Sequence, residues 1–429
     1  MSPRSHDRAA SLDTDRRIVP FCQQLEYRPD KGKPTMHDLT LCVHHPAVNE
    51  EGYASLAVPT HRASTIVYPD GASFMARKYR GFDGYTYGLH GTPTTRTLEA
   101  QLTILHDGVR TVLVPSGQAA VTIVMLSVLM PGDKVLIPDH VYPPVRSFCA
   151  EYLAPRGIAY GVYDPLIGAG IADLIDETVK LVWVESPGSN TMEVQDLPVI
   201  AAAAKTKGAL VGCDNTWATP LIFKPLEHGA DFACEALTKY VGGHSDLLLG
   251  SITVRDMALR QKLKETLRGF GVGVSPDECQ LALRGIETMG LRVAHMGMVS
   301  EDFARRLVDH PMVERVLHPA LPSCPGHAIW KRDMGRSSGL FSLVLKPVDD
   351  DTMSAALSAL RVFAIGASWG GTRSLVAPQA IAQDRTATAW TAQGPLLRIS
   401  IGLEEPGELW TDLSRLLSVL GKATTTKAA

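Results

Sequence analysis

Lys239 follows the apolar run DFACEAL (residues 231–237) and precedes a polar, glycine-rich turn, YVGGHSD. A lysine amine attacks a carbonyl only when neutral, so a lysine at the end of a buried strand, its pKa lowered by burial or a nearby cation, is a candidate for covalent carbonyl chemistry. Viewed alone, it is more simply a surface lysine after a strand. Asp214 ends a second apolar run in ALVGCDNTWATP. An ionised carboxylate there is costly without a cation, and a protonated pyridine nitrogen is one such cation; an Asp-Asn turn cap is the plainer reading. Arg398 is the lone charge in LLRISIG, where a guanidinium suits two-pronged capture of a carboxylate or a structural ion pair. Tyr142, in PDHVYPPVRSFC, offers a ring that stacks on a flat partner or a loop side chain held between prolines. PSGQAAVTIVML, from Pro115, reads as strand end, turn and helix start. Gly117 lets the backbone approach closely there, and the free amides of the helix suit a phosphate, to which the Thr238 hydroxyl adds a further hydrogen bond. SWGGTRSL adds the Ser368 hydroxyl and the Trp369 indole on a flexible turn. GFGVG at 269–273 does not sit between a strand and a helix in the manner of a dinucleotide site.

The elements that must position these groups are short β-rich runs alternating with helical stretches between about 100 and 255. They are TVLVPSG, DKVLIPD, GIAYGVYD, KLVWVES, ALVGCDNT, DFACEALTK and LGSITV. Uniformly apolar strands in such alternation predict an α/β fold with a mostly parallel seven-stranded sheet covered on both faces. Chemistry then collects at the carboxyl ends of the strands, where Ser116, Asp139, Glu185, Asp214 and Lys239 all fall. Beyond about 285 the strands GLFSLVL and LLRISIG, a helix opening on three aspartates at 349–351, and a last helix with Leu409, Leu413, Leu416, Leu417 and Leu420 on one face predict a smaller α+β domain. The expected division is 1–89, an extension and arm; 90–285, the cofactor domain; and 286–429, the C-terminal domain. The first 35 or so residues and the tail GKATTTKAA are expected to be loosely ordered.

Composition narrows the function classes. The chain has 429 residues, 45% hydrophobic and 20% charged, with a formal net charge of −3. Scattered basic residues point to neither nucleic acid nor a membrane surface. The longest apolar run, VTIVMLSVLM, is about half of a bilayer crossing. Seven cysteines, odd in number and never in a CxxC pair, argue against disulfides or a zinc ribbon, so a cytoplasmic setting and no metal are expected.

Ten ordered segments resemble the γ-family of fold-type I pyridoxal-phosphate enzymes, the trans-sulfuration group. They are YGLHGTPT (87–94), PSGQAA (115–120), DPLIGAGI (164–171), ESPGSNTMEV (185–194), DNTWATP (214–220), TKYVGGHSD (238–246), HPALP (318–322), SSGLFSLVL (337–345), SWGG (368–371) and LLRISIGLE (396–404). The resemblance implies pyridoxal 5'-phosphate (PLP) as cofactor, anchored covalently by Lys239 and paired at its ring nitrogen with Asp214. It implies that Tyr142 stacks on the ring, that Gly117, Gln118 and Thr238 hold the phosphate, and that Tyr87 reaches in from a neighbouring subunit. Arg398 and Ser368 are placed at the substrate α-carboxylate, with Trp369 beside them. The implied activity is a carbon–sulfur β-lyase splitting L-cystathionine into L-homocysteine, pyruvate and ammonia, with Lys239 moving the proton and Tyr142 assisting. The implied assembly is a homotetramer of dimers that share active sites. The alternatives are γ-elimination or γ-replacement on the same fold and, from another class, a non-catalytic regulatory protein. Three departures stand out: Leu89 where the family commonly has a phosphate-clamping arginine, His90 in place of a second arginine, and Ser147 in place of an aspartate.

Overall fold

The structure, a computed structural model, describes residues 37–43 and 56–428, with side chains through 422. The expected N-terminal extension and Cys22 lie outside the described residues. All seven anticipated strands form: β1 (Arg110–Val114), β2 (Lys134–Pro138), β3 (Ala159–Tyr163), β4 (Val179–Glu185), β5 (Leu210–Asp214), β6 (Phe232–Ala236) and β7 (Gly250–Val254). They make one sheet in the order β1-β7-β6-β5-β4-β2-β3. β2 to β6 pair in parallel, whereas β7 runs antiparallel to both β6 and β1.

The side-chain period of two sends neighbouring residues to opposite faces. Val182 packs in a core with Leu98, Leu102, Leu283 and Met289, while its neighbour Leu181 packs in a second core with Val124, Phe232 and Leu263. The helices Pro93–Leu105, Leu197–Thr206 and Pro276–Leu307 cover the first face; Gly117–Val128 and Met257–Phe270 cover the second. The sheet is therefore buried on both faces, which is why its strands read as unbroken apolar runs. GFGVG closes a helix, with Gly271 in the left-handed region (φ +67°) as its C-cap.

The helix Pro276–Leu307 passes through the expected 285/286 junction and leads to the smaller sheet. That sheet contains β8 (Val313–Leu317), β9 (Leu340–Leu345), β10 (Ala364–Ile365), β11 (Leu375–Gln379) and β12 (Leu396–Ser400), in the order β10-β11-β12-β9-β8. The triple-aspartate helix runs Asp350–Ser358, and Asp349 caps it by accepting from Thr352 N at 2.8 Å. The five leucines of the last helix are all buried in the third core. That helix continues to Ala428 instead of fraying at 421, so the expectation of a loose tail is corrected over its described backbone. Alanine and threonine carry no helix-breaking backbone constraint, and no glycine or proline follows Gly421 to stop the helix.

Candidate active site

The carboxyl ends of β4, β5 and β6, the start of the helix Gly117–Val128 and the turn before β11 enclose a cleft of about 240 Å³. It is lined by Gly117, Gln118, Tyr142, Asp214, Thr238, Lys239, Trp369 and Arg398, among others. Lys239 sits in a tight turn after β6, its carbonyl accepting from Gly243 N at 2.8 Å. Its Nζ donates to Ser368 Oγ at 2.8 Å and lies 5.3 Å from the centre of the Trp369 ring. Gly370 (φ +82°) lets this turn pack onto the lysine backbone, since a Cβ there would sit 3.2 Å from Lys239 Cα. Burial first, and the Arg398 guanidinium second, pull the Lys239 amine down to about 8, against the opposing charge of Asp214.

Asp214 stands at the end of β5 beside Glu185 at the end of β4. One of its oxygens accepts from Thr216 N at 2.9 Å, and among the described residues no cation forms an ion pair with it. Burial, then the Glu185 carboxylate, raise its pKa. A buried acid in this state lacks a cationic partner, and a protonated pyridine nitrogen supplies one, so the residues present fit PLP at this point. The end of the cleft at the helix start is built from backbone. Ser116 Oγ caps the helix by accepting from Ala119 N at 3.1 Å, leaving the preceding amides free. A Cβ on Gly117 would lie 2.4 Å from Ala236 Cβ, so glycine is what lets the helix start lie against β6. Thr238 Oγ1 accepts from Leu249 N at 3.1 Å and donates to Leu249 O at 3.3 Å. Gln118 Nε2 donates to Pro144 O at 3.0 Å, while its Oε1 is buried without a partner among the described residues.

Arg398, on β12, is buried and faces the same space. Its Nη1 donates to Asn190 Oδ1 at 2.9 Å and its Nη2 to Ala367 O. Burial brings the guanidinium down to about 10, with the Tyr142 and Glu185 charges acting the other way. The Tyr142 ring is at the exposed edge of the cleft, and its backbone N–H donates to Glu185 Oε2 at 2.7 Å. The other Glu185 oxygen accepts from Ser189 N at 2.9 Å. Glu185 thus ties together the loop bearing Tyr142 and the loop bearing Asn190.

Lys239, Asp214, Tyr142, Gly117, Gln118, Thr238, Arg398, Ser368 and Trp369 therefore converge, while Tyr87 does not reach this chain's cleft. Tyr87 is exposed on the arm, edge-on to His90 with ring centres 6.2 Å apart. Leu89 packs toward Gly273, and neither His90 nor Ser147 lines the cleft. The linking role of Glu185, Asn190 as the Arg398 partner, and Thr216 and Trp217 in the wall were missed from the sequence. The signal for Asn190 was its place in the loop that leaves β4.

A strand-end lysine, a buried aspartate and a helix start lining one cleft, on a seven-stranded doubly covered sheet, define a fold-type I PLP-dependent enzyme. The chain belongs to the Cys/Met metabolism PLP-dependent enzyme family, whose sequence pattern matches residues 39–418. It is 44% identical over 361 residues, 83% of this chain and 90% of the relative, to a protein named a putative cystathionine β-lyase of Rhizobium johnstonii. It is 38% identical to the cystathionine β-lyase of Escherichia coli, over 82% of this chain and 91% of the relative. Among solved structures, cystathionine γ-synthase from Xanthomonas oryzae in complex with cystathionine superposes with a TM-score of 0.83 at 29% identity, covering 91% of this chain and 100% of that one.

Proposed function

We propose that this protein is a cystathionine β-lyase, splitting L-cystathionine into L-homocysteine, pyruvate and ammonia with PLP. The observation that carries the reading is the Lys239 amine, held by Ser368 at the cleft it shares with Asp214 and Arg398 and brought down to about 8 by burial and then by Arg398, against the charge of Asp214. Such an amine is about half neutral at pH 8, so it serves as a base near neutrality. The reading of β- over γ-cleavage is supported by the β-lyase relatives, at 36–44% identity against 29–32% for the γ-synthases.

Bound in the cleft, PLP supplies an electron-accepting ring that weakens the bonds at the substrate α-carbon. Asp214 holds the ring nitrogen protonated. Arg398, preset by Asn190 and Ala367, would receive the α-carboxylate and so orient the substrate in the cleft. Lys239 takes the α-proton at Nζ, and the carbon–sulfur bond at the β-carbon then breaks. Lys239, or the Tyr142 hydroxyl in the same cleft, returns a proton to the departing thiolate. Water completes the balance as the remaining three-carbon fragment becomes pyruvate and ammonia.

Tyr87 acts in a neighbouring copy in this reading, which makes the protein a homo-oligomer, a tetramer built from dimers. The arm supports it by exposing Val67, Met75, Tyr79 and Tyr87, a concentration of large apolar side chains that suits burial against a partner. The three-part division at 89 and 285 remains our reading, with one sheet on either side of the second junction. The six described cysteines, all buried and free, fit a cytoplasmic setting. No helix among the described residues is long and apolar enough to cross a membrane. Lys239→Ala tests the function: it should abolish pyruvate release and the lysine-dependent visible absorption of the PLP-loaded protein, and retained turnover would overturn the assignment.

A further inference from the structure

The segment between β11 and β12 leaves the small sheet and crosses onto the large one, where two buried carboxylates hold it. Asp139, after β2, accepts from Thr386 N and Thr388 N, both at 2.8 Å, and from Thr388 Oγ1 at 2.6 Å, Thr386 Oγ1 at 3.3 Å and Arg146 Nη2 at 2.9 Å. That contact docks the segment together with its apolar side chains: Ile381 is buried in the first core, and Trp390 and Ala392 pack against it. Arg385 adds a second one, with Glu193. Its side chain is only 7% exposed, and its Nε and Nη1 find no acceptor among the described residues. A buried guanidinium with one ion-pair partner and two idle donors is a poor source of stability, so the place of that partner matters.

Glu193 lies three residues beyond Asn190, the acceptor of Arg398 Nη1. It also accepts from Thr191 Oγ1, the residue next to Asn190, and faces His140 Nδ1 at 3.2 Å. On its other side the His140 ring reaches Glu185 O with Nε2 at 2.7 Å. Glu193 is therefore the fixed point of the loop that aims Arg398. Burial works against its ionised form, but His140, Arg385 and Thr191 hold it down at about 2.

We propose that Arg385 is a positioning residue for substrate recognition: by anchoring Glu193 it holds the 185–193 loop so that Asn190 aims Arg398 at the substrate α-carboxylate. This rests on the reading of Arg398 as the carboxylate receptor. Arg385 touches no reacting atom, so its loss should be selective for ligands that carry a carboxylate.

The test titrates the PLP-loaded enzyme with L-alanine and with ethylamine, the same amine without its carboxylate, following the shift in the lysine-dependent visible absorption. Wild type should bind L-alanine more tightly than ethylamine. Arg385→Gln should weaken L-alanine about tenfold or more, the scale of a displaced hydrogen bond to a charged group, and leave ethylamine unchanged. Arg385→Lys should restore most of the difference. Glu193→Gln should give the same selective loss and carries the test if Arg385→Gln does not fold. Equal weakening of both probes, or none, would overturn the proposal. Wild type that fails to distinguish the two probes would instead overturn the assignment of Arg398.

Discussion

Asp214→Asn should make the cofactor-free protein more heat-stable and the PLP-loaded protein less stable and nearly inactive. Without cofactor, the ionised Asp214 is buried beside Glu185, accepting from the Thr216 amide and with no ion-pair partner among the described residues. Burying an unpaired charge costs several kcal/mol, and a hydrogen bond to a charged group returns about 1.5–3 kcal/mol. Asparagine should thus relieve a deficit of about 1–3 kcal/mol, by difference of these two terms. The folded pKa of this acid is raised, so the deficit is absent below the unfolded value of about 4 and grows as pH rises past it. The advantage of asparagine should therefore be present at pH 8 and vanish in acid. With unfolding entropy near 2 cal/mol/K per residue, a chain of this length gains roughly 1 °C per kcal/mol, so a rise of about 1–3 °C is expected. Loading reverses the order, because only the carboxylate forms a charge-assisted bond to a protonated ring nitrogen. Loss of that electron-sink function should lower kcat by about 10²-fold or more, the scale of losing one preorganised electrostatic group. Scanning calorimetry at pH 8 and pH 4, with and without PLP, reads all four states. An asparagine variant less stable than wild type at pH 8 without cofactor would refute the reasoning.

Arg398→Met should raise KM for L-cystathionine about 10- to 100-fold, the worth of a charged hydrogen bond or more, as read from steady-state kinetics. For the wild type, kcat should fall as pH drops through about 8, where Lys239 takes up a proton. Removing the Arg398 cation should move that limb to higher pH, since Arg398 is the largest charge effect depressing the amine. Gly117→Val should weaken PLP retention in a dialysis assay, because its Cβ would start 2.4 Å from Ala236 Cβ and push the helix start off β6. Leu89→Arg should tighten PLP about tenfold or more if the arm reaches a neighbouring site, as measured by the PLP dissociation constant.

The large sheet was legible because burial on both faces leaves each strand an apolar run, with a carboxylate closing two of them at Val184–Glu185 and Cys213–Asp214. Lys239 and Asp214 were readable for the same reason. What the sequence did not show depends on contacts between distant segments. Arg385 meets Glu193 across 192 residues and Thr388 meets Asp139 across 249, and no local periodicity marks either pair. Asn190 and Glu185 lie in a segment already singled out, yet their tasks emerge only when β12 brings Arg398 over that loop. The last helix ran past its expected end because nothing after Gly421 terminates it.

The most direct test of the central claim is a product assay on L-cystathionine with the purified, PLP-loaded protein. Pyruvate with homocysteine is the predicted result and establishes β-cleavage at this cleft. Formation of 2-oxobutyrate with cysteine would contradict it and reassign the same lysine, aspartate and arginine to γ-elimination.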